Sequence, residues 1–127
     1  MSHIVEIKTE VNDPEALTAA CRRVGAPPPE NRTVKFYDEK VASGFAVDLD
    51  GWKYPVVFTC VEGEVVYDDF NGHWGDRKTL DGLLQMYAVE KTRIEARKAG
   101  HSVMERLLDD GRIRLSIVPA RQEVAHA

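Results

Sequence analysis

The sequence has only two cysteines, Cys21 and Cys60, among 127 residues, and their spacing fits no metal motif. Small secreted domains held together by disulfides contain far more cysteine, so we expect two reduced thiols. No apolar run approaches the ~20 residues that a membrane span needs. The first eight residues include Glu6 and no long apolar stretch, which argues against a secretory signal peptide. These shortages predict a cytoplasmic protein without a membrane segment.

The sequence also lacks the short motifs that identify common enzymes. It has no glycine-rich phosphate loop, no nucleophile elbow and no paired-cysteine metal site. We therefore expect no cofactor, and the lack of these motifs argues against an enzyme without excluding one. The composition itself is ordinary, with 43% hydrophobic and 30% charged residues and a net charge of −4. A chain of this size and composition forms one domain with a normal core, which excludes intrinsic disorder.

Apolar periodicity and turn residues predict the order strand, helix, four strands, helix, two strands. The first helix begins around Asp13 and Pro14, and the second extends from Arg77 to Ala99. The middle strands are predicted at 33–37, 44–49, 54–60 and 64–68. This order is typical of an α+β two-layer sandwich, in which both helices pack on one face of an antiparallel sheet. An elaborated ferredoxin-like core would satisfy it.

The end of the chain carries a strong hairpin signal. Asp109, Asp110 and Gly111 separate two strand-like segments at 102–108 and 112–118. Residues 119–127 show no periodicity. We therefore predict a single domain over residues 1–118, followed by a frayed tail at 119–127.

Several short segments resemble one family of uncharacterised proteins. The segments are Met1-Ser2-His3-Ile4-Val5-Glu6-Ile7-Lys8-Thr9, Tyr87-Ala88, Glu95-Ala96, Gly100-His101-Ser102-Val103-Met104-Glu105 and Asp110-Gly111-Arg112-Ile113-Arg114-Leu115. They are similar to a family shared by bacteria and plastids, known in plastids as hypothetical chloroplast reading frame thirty-five. Family members have no assigned activity, and the bacterial ones tend to be encoded beside an AAA-type ATPase. The resemblance thus implies such an ATPase as a partner and transfers no catalytic residue.

A polar cluster lies between the fifth predicted strand and the long helix. Asp68, Asp69, His73 and Asp76 could bind a divalent metal or act as base and orienting acid in hydrolysis. In the interpretation that we favour, Asp76 caps the long helix, Trp74 covers an edge of the core and His73 is solvated. The metal-dependent hydrolase remains the alternative.

Three aromatic residues with polar groups lie near predicted loops. Trp52, Tyr54 and Trp74 could converge at one end of the sheet and form an interaction surface, although packing at the rim of the core is the simpler expectation. We take them as the candidate interaction residues.

Basic residues gather toward the end of the long helix, at Lys91, Arg93, Arg97 and Lys98. Glu90 and Glu95 interrupt this group and the chain as a whole is acidic, so a solvated helix face is favoured over a nucleic-acid contact.

The leading hypothesis is a noncatalytic adaptor or assembly subunit that works through a protein partner. The partner is either an AAA-type ATPase, as the resemblance implies, or another copy of the chain.

Overall fold

Helices and strands follow one another along the chain in the predicted order. A computed structural model describes the backbone of residues 4–8 and all atoms of residues 10–119. The elements of this described part are β1 (Ile4–Lys8), α1 (Pro14–Val24), β2 (Glu30–Lys35), β3 (Val41–Val47), β4 (Val56–Thr59), β5 (Glu64–Asp68), a 3-10 turn (Phe70–Gly72), α2 (Arg77–Lys98), β6 (Ser102–Leu107) and β7 (Ile113–Val118). The α+β class is confirmed.

Both helices begin at the aspartates that the sequence indicates. The carboxylate of Asp13 accepts hydrogen bonds from the backbone N–H groups of Glu15 and Ala16, at 3.0 and 3.4 Å. Asp76 accepts one from the N–H of Lys78 at 2.9 Å. These bonds satisfy N–H groups that have no partner within the helix, so each aspartate sets a helix start.

The main sheet has five antiparallel strands in the order β1-β5-β4-β3-β2. Both helices pack on one face of it, as predicted, and the core lies between the two layers. Leu17 of α1, Phe58 of β4, and Leu80 and Leu83 of α2 are fully buried there. Cys21 is buried in the same core.

The second face of the sheet is covered by the chain's own β2–β3 hairpin. β3 pairs with β4 only through residues 45–47, whereas its pairing with β2 continues back to Val41. Val34 and Phe36 of the hairpin form a second buried cluster with Ala46, Val57 and Val66. A Cβ atom on Gly44 would lie 2.5 Å from the carbonyl oxygen of Phe58, so only glycine allows β3 to pass this close. The hairpin therefore folds back, and its tip at 36–40 reaches the region where β4 begins.

The last two strands depart from the predicted single sheet. β6 and β7 pair only with each other and form a separate two-stranded sheet. The Glu105 carboxylate of β6 binds Arg23 of α1 and Arg93 of α2, each at 2.6 Å. The side-chain amide of Gln85 on α2 donates to the carbonyl of Gly111 at 3.1 Å. These polar contacts hold the hairpin against the helices. In a ferredoxin-like core the strand after the second helix joins the main sheet. Because β6 does not join it, the fold differs from the predicted ferredoxin-like core.

Helical spacing predicts one buried stripe on α2, made of Leu80, Leu83, Leu84, Tyr87 and Ile94, of which Leu84 is half-buried. Leu80, Leu83, Tyr87 and Ile94 are buried as expected, and Val89 is buried as well. Val89 lies one helical turn from both Gln85 and Arg93, the residues that contact the hairpin. The β6–β7 hairpin thus gives α2 a second packed face.

Two further findings bear on the sequence predictions. No helix in the described residues is long and apolar enough to cross a membrane. The predicted frayed tail at 119–127 lies, apart from Pro119, outside the described residues, as do parts of the opening segment that carries the family resemblance.

Candidate functional site

Four aromatic rings and a lysine meet where β4 begins. Tyr37, Lys53, Tyr54, Phe70 and Trp74 form this group, which we call the aromatic platform. Trp74 is at its centre, with ring centroids 5.5 Å from Tyr37, 5.7 Å from Tyr54 and 4.6 Å from Phe70. The rings are tilted or edge-on, the geometry that aromatic quadrupoles favour. Tyr37 is 67% exposed, so the platform faces solvent.

Backbone hydrogen bonds fix the position of Trp74. Its N–H donates to the carbonyl of Asp69 at 2.9 Å, and its own carbonyl accepts the N–H of Lys53 at 2.8 Å. The second bond ties the loop that follows β5 to the segment that precedes β4. Trp74 is therefore held between two separate parts of the chain.

The backbone beside the platform is strained. In the described part of the chain, the non-glycine residues with positive φ are Glu39 at 67°, Phe70 at 43° and Asn71 at 53°. Phe70 belongs to the platform, Asn71 follows it, and Glu39 is two residues from Tyr37. Residues with side chains rarely adopt this conformation, and such strain concentrates at functional sites. All three outliers thus point to the same region.

Lys53 lies over three of the rings at once. Its ammonium nitrogen is 4.3 Å from the ring centroid of Trp74, 5.6 Å from that of Tyr54 and 5.9 Å from that of Tyr37. Each distance is within the ~6 Å range of a cation–π interaction. The platform therefore presents both aromatic surface and a positive charge.

Two of the three predicted interaction residues come together and the third does not join them. Tyr54 and Trp74 are in contact, whereas Trp52 packs against Tyr67 of the helix-side core, with ring centroids 5.7 Å apart. A Cβ on Gly75 would lie 2.5–2.6 Å from Cε2 and Cε3 of the Trp52 ring, so the indole also fills the space beside that glycine. Trp52 thus packs in the core and is not part of the aromatic platform.

Sequence reasoning missed Tyr37, Lys53 and Phe70. Lys53 stands directly between the predicted residues Trp52 and Tyr54, and that spacing was a usable signal. Tyr37 could not be found in this way, because it reaches Trp74 only after the β2–β3 hairpin has folded back.

Three of the four side chains in the alternative hydrolase site have structural partners. Asp68 is buried and accepts the N–H of Phe70 at 3.1 Å, and Nδ1 of exposed His73 lies 2.9 Å from the carbonyl oxygen of Phe70. Asp76 caps α2. Across the described residues, no three His, Cys, Asp or Glu side chains are placed to hold a metal ion. Asp68, Asp69, His73 and Asp76 are thus not grouped as a three-ligand metal site in the described residues.

The basic end of α2 is largely neutralised by carboxylates. Lys91 binds Asp13 at 2.9 Å and Glu95 at 3.1 Å, and Arg93 binds Glu105. These pairs raise the pKa of Lys91 and lower that of Asp13. A surface that contacts phosphates needs unpaired cations, so this arrangement favours a solvated helix face.

The two thiols are held in their protonated form. Burial raises the pKa of Cys21 to about 11 and also raises that of Cys60. Both cysteines are free. Since the thiolate is the reactive species, neither environment favours nucleophilic chemistry.

No protein-family model, curated protein or solved structure matches the chain.

Proposed function

We propose that this protein is a noncatalytic adaptor or assembly subunit that binds another protein through the aromatic platform. One observation carries the proposal: an exposed Tyr37 rests against Trp74 on a strained, hydrogen-bonded frame. Tyrosine and tryptophan are the side chains that most often dominate the energy of protein interfaces. A frame that already holds them in place lowers the entropy lost on binding.

The free edge of the main sheet at β2 is a weaker candidate for partner binding. β2 has Glu30, Arg32 and Lys35 along its length, and Arg32 lies 3.2 Å from the carboxylate of Asp48, the residue that follows β3. Charged side chains on an edge strand oppose pairing with another strand. The platform, which is aromatic and exposed, is therefore the surface that we favour.

The partner that we propose is an AAA-type ATPase, because the family resemblance implies one. Self-association through the same platform is the competing arrangement. A standard interface buries about 1,600 Å² in total. The platform would supply its centre, with the surrounding polar residues as the rim.

The test is affinity capture from the native host, with sedimentation of the purified protein at the same concentration. We expect the wild-type protein to capture an ATPase and Tyr37→Ser to lose about tenfold or more of that capture. Val61→Ser is the matched control, because Val61 is 96% exposed in the loop after β4, away from the platform.

Three outcomes would count against the proposal. Equal capture by wild type and Tyr37→Ser would show that the platform is not the contact. A platform-dependent dimer without an ATPase would replace the partner with a second copy. A strictly monomeric protein that captures nothing and turns over a small molecule would overturn the adaptor function altogether.

A further inference from the structure

Three rings of the aromatic platform surround a cation that belongs to the protein itself. Tyr37, Tyr54 and Trp74 come from three separate segments, and all three centroids lie within 4.3–5.9 Å of the Lys53 ammonium nitrogen. The planes of Tyr37 and Tyr54 make angles of 58° and 65° with that of Trp74. Rings inclined in this way present several faces to one point, the geometry with which proteins recognise organic cations.

Lysine is a poor cation for such a group of rings. Its primary ammonium is compact and strongly hydrated, and Lys53 stays exposed to solvent. A quaternary ammonium has no N–H to keep hydrated, and its methyl groups spread the positive charge over a larger apolar surface. Aromatic rings therefore favour the methylated cation over the lysine.

We propose that Tyr37, Tyr54 and Trp74 form a binding site for a quaternary or trimethylated ammonium group, with Lys53 as an internal occupant that the ligand displaces. The inference rests on the proposed function, because it names the chemistry that the platform recognises. The group could belong to a free molecule such as choline or to a trimethylated lysine of a partner protein.

The strained backbone has a role in this site. Glu39 at φ 67° and Phe70 at φ 43° lie in the turns that carry Tyr37 and lead to Trp74. The turns hold these two rings 5.5 Å apart before any ligand arrives. A preformed arrangement of rings loses less entropy on binding than one that the ligand must assemble.

The test is a titration of the full-length protein with choline chloride, followed through the indole N–H resonances of Trp74 and Trp52. Trp52 packs against Tyr67 in the helix-side core, whereas Tyr54 packs against the second buried cluster, so Trp52 is the internal control. We expect choline to move the Trp74 resonance saturably and to leave Trp52 unchanged. In Lys53→Ala the choline concentration at the midpoint of the titration should fall about tenfold, because the lysine ammonium no longer competes for the rings.

A neutral compound of the same shape is the matched ligand control. 3,3-Dimethylbutanol replaces the charged nitrogen with carbon and should move neither resonance. Tyr37→Leu should weaken choline binding about tenfold, and Val61→Ser should leave it unchanged. If the NMR spectrum shows that Lys53→Ala is unfolded, Lys53→Gln replaces it, because glutamine removes the charge and keeps a long side chain.

Two results would overturn the inference: no saturable movement of Trp74 once Lys53 is replaced, or an equal response to dimethylbutanol. A peptide with trimethyllysine that binds more tightly than choline, while the unmethylated peptide does not bind, would identify a protein source. Choline binding as tight as the peptide's would identify a free molecule. If the protein does not bind choline but still captures a partner through Tyr37, this inference is rejected and the proposed function stands. If the protein binds choline but captures no partner, the proposed function is rejected and this inference stands.

Discussion

At the scale of single residues, two hairpin turns of this chain share one hydrogen-bond pattern but place different residues at the position with positive φ. In turns 36–40 and 108–112, the first N–H donates to the fifth carbonyl at 2.8 Å and the fourth N–H donates to the first carbonyl at 3.0 Å. The third residue of each is an aspartate that accepts the fifth N–H. The fourth residue has φ 87° in Gly111 and φ 67° in Glu39. One turn therefore uses glycine where left-handed backbone is required, and the turn beside the platform does not.

Replacing Glu39 with glycine should stabilise the protein. Glycine removes the clash between Cβ and backbone at positive φ, which costs about 1–2 kcal/mol, and part of that gain is offset by the greater freedom of glycine in the unfolded chain. The ion pair of Glu39 with Lys35, at 3.4 Å, is exposed and contributes little. We expect a net gain of about 0.5–1 kcal/mol in urea unfolding. A loss of stability would contradict the assignment of strain to this turn.

Gly111→Val should have the opposite effect. Nothing lies within 4 Å of a Cβ built on Gly111, so the cost comes from the backbone at φ 87° alone and amounts to about 1–2 kcal/mol. Gly82→Ala is the matched control, because Gly82 has equal free space but lies within α2. At position 82 alanine should stabilise the protein by about 0.5–1 kcal/mol, because glycine disfavours a helix. Similar changes at both sites in urea unfolding would show that backbone conformation is not the cause.

At the scale of elements, the β6–β7 hairpin depends on its attachment to the helices. An isolated two-stranded sheet is at best marginally stable in water. Met104, Leu107 and Ile117 of this hairpin are exposed, so apolar packing holds it only in part. The Glu105 carboxylate binds Arg23 with both oxygens, at 2.6 and 2.9 Å, and Arg93 with one. This ion pair is the main polar link between the hairpin and the two helices.

The ion pair should make hairpin attachment sensitive to acid. Hydrogen bonds from Arg23, and to a smaller extent from Arg93, lower the pKa of Glu105 from its usual value of 4.5 to about 2. A carboxyl with a lowered folded-state pKa contributes its full stability above the unfolded value and loses it as the pH falls toward 2. The side chain is 19% exposed, so water screens the pair, and we expect Glu105→Gln to cost about 1–2 kcal/mol at neutral pH.

Urea unfolding and hydrogen exchange of Glu105→Gln would check this prediction. The stability difference from wild type should shrink between pH 4.5 and pH 2, and the amides of β6 and β7 should exchange faster than those of the main sheet. Asp81→Asn is the control, since Asp81 pairs with Arg77 at 2.9 Å on an exposed helix face and should change stability by less than about 0.5 kcal/mol. A pH-independent difference would contradict the role of the Glu105 charge.

At the scale of the whole molecule, the parts predicted from sequence are those set by local interactions. Asp13 and Asp76 start the helices through hydrogen bonds that span two or three residues. The last hairpin was predicted because Gly111 marks a turn whose bonds are equally local. Short-range chemistry of this kind is visible in the sequence itself.

The parts that were missed depend on contacts between distant segments. The sequence predicts the β2–β3 hairpin too late in the chain, because Glu39 occupies the turn position where glycine would be the signal. The predicted strand starts at Gly44, whereas β3 begins at Val41. Its fold back over the sheet is set by packing of Val34 and Phe36 on Val57 and Val66. Only that packing brings Tyr37 to Trp74. Of the platform residues, the sequence therefore predicts only Tyr54 and Trp74.

The most direct test of the central claim is hydrogen exchange of the protein with and without its captured partner. The platform spans three segments, and we expect slower exchange on binding in residues 36–41, 52–56 and 70–76, with α2 unchanged. Tyr37→Ser should abolish this protection and Val61→Ser should preserve it. Protection confined to the β6–β7 hairpin or to the basic end of α2, with the three platform segments unchanged, would contradict the account.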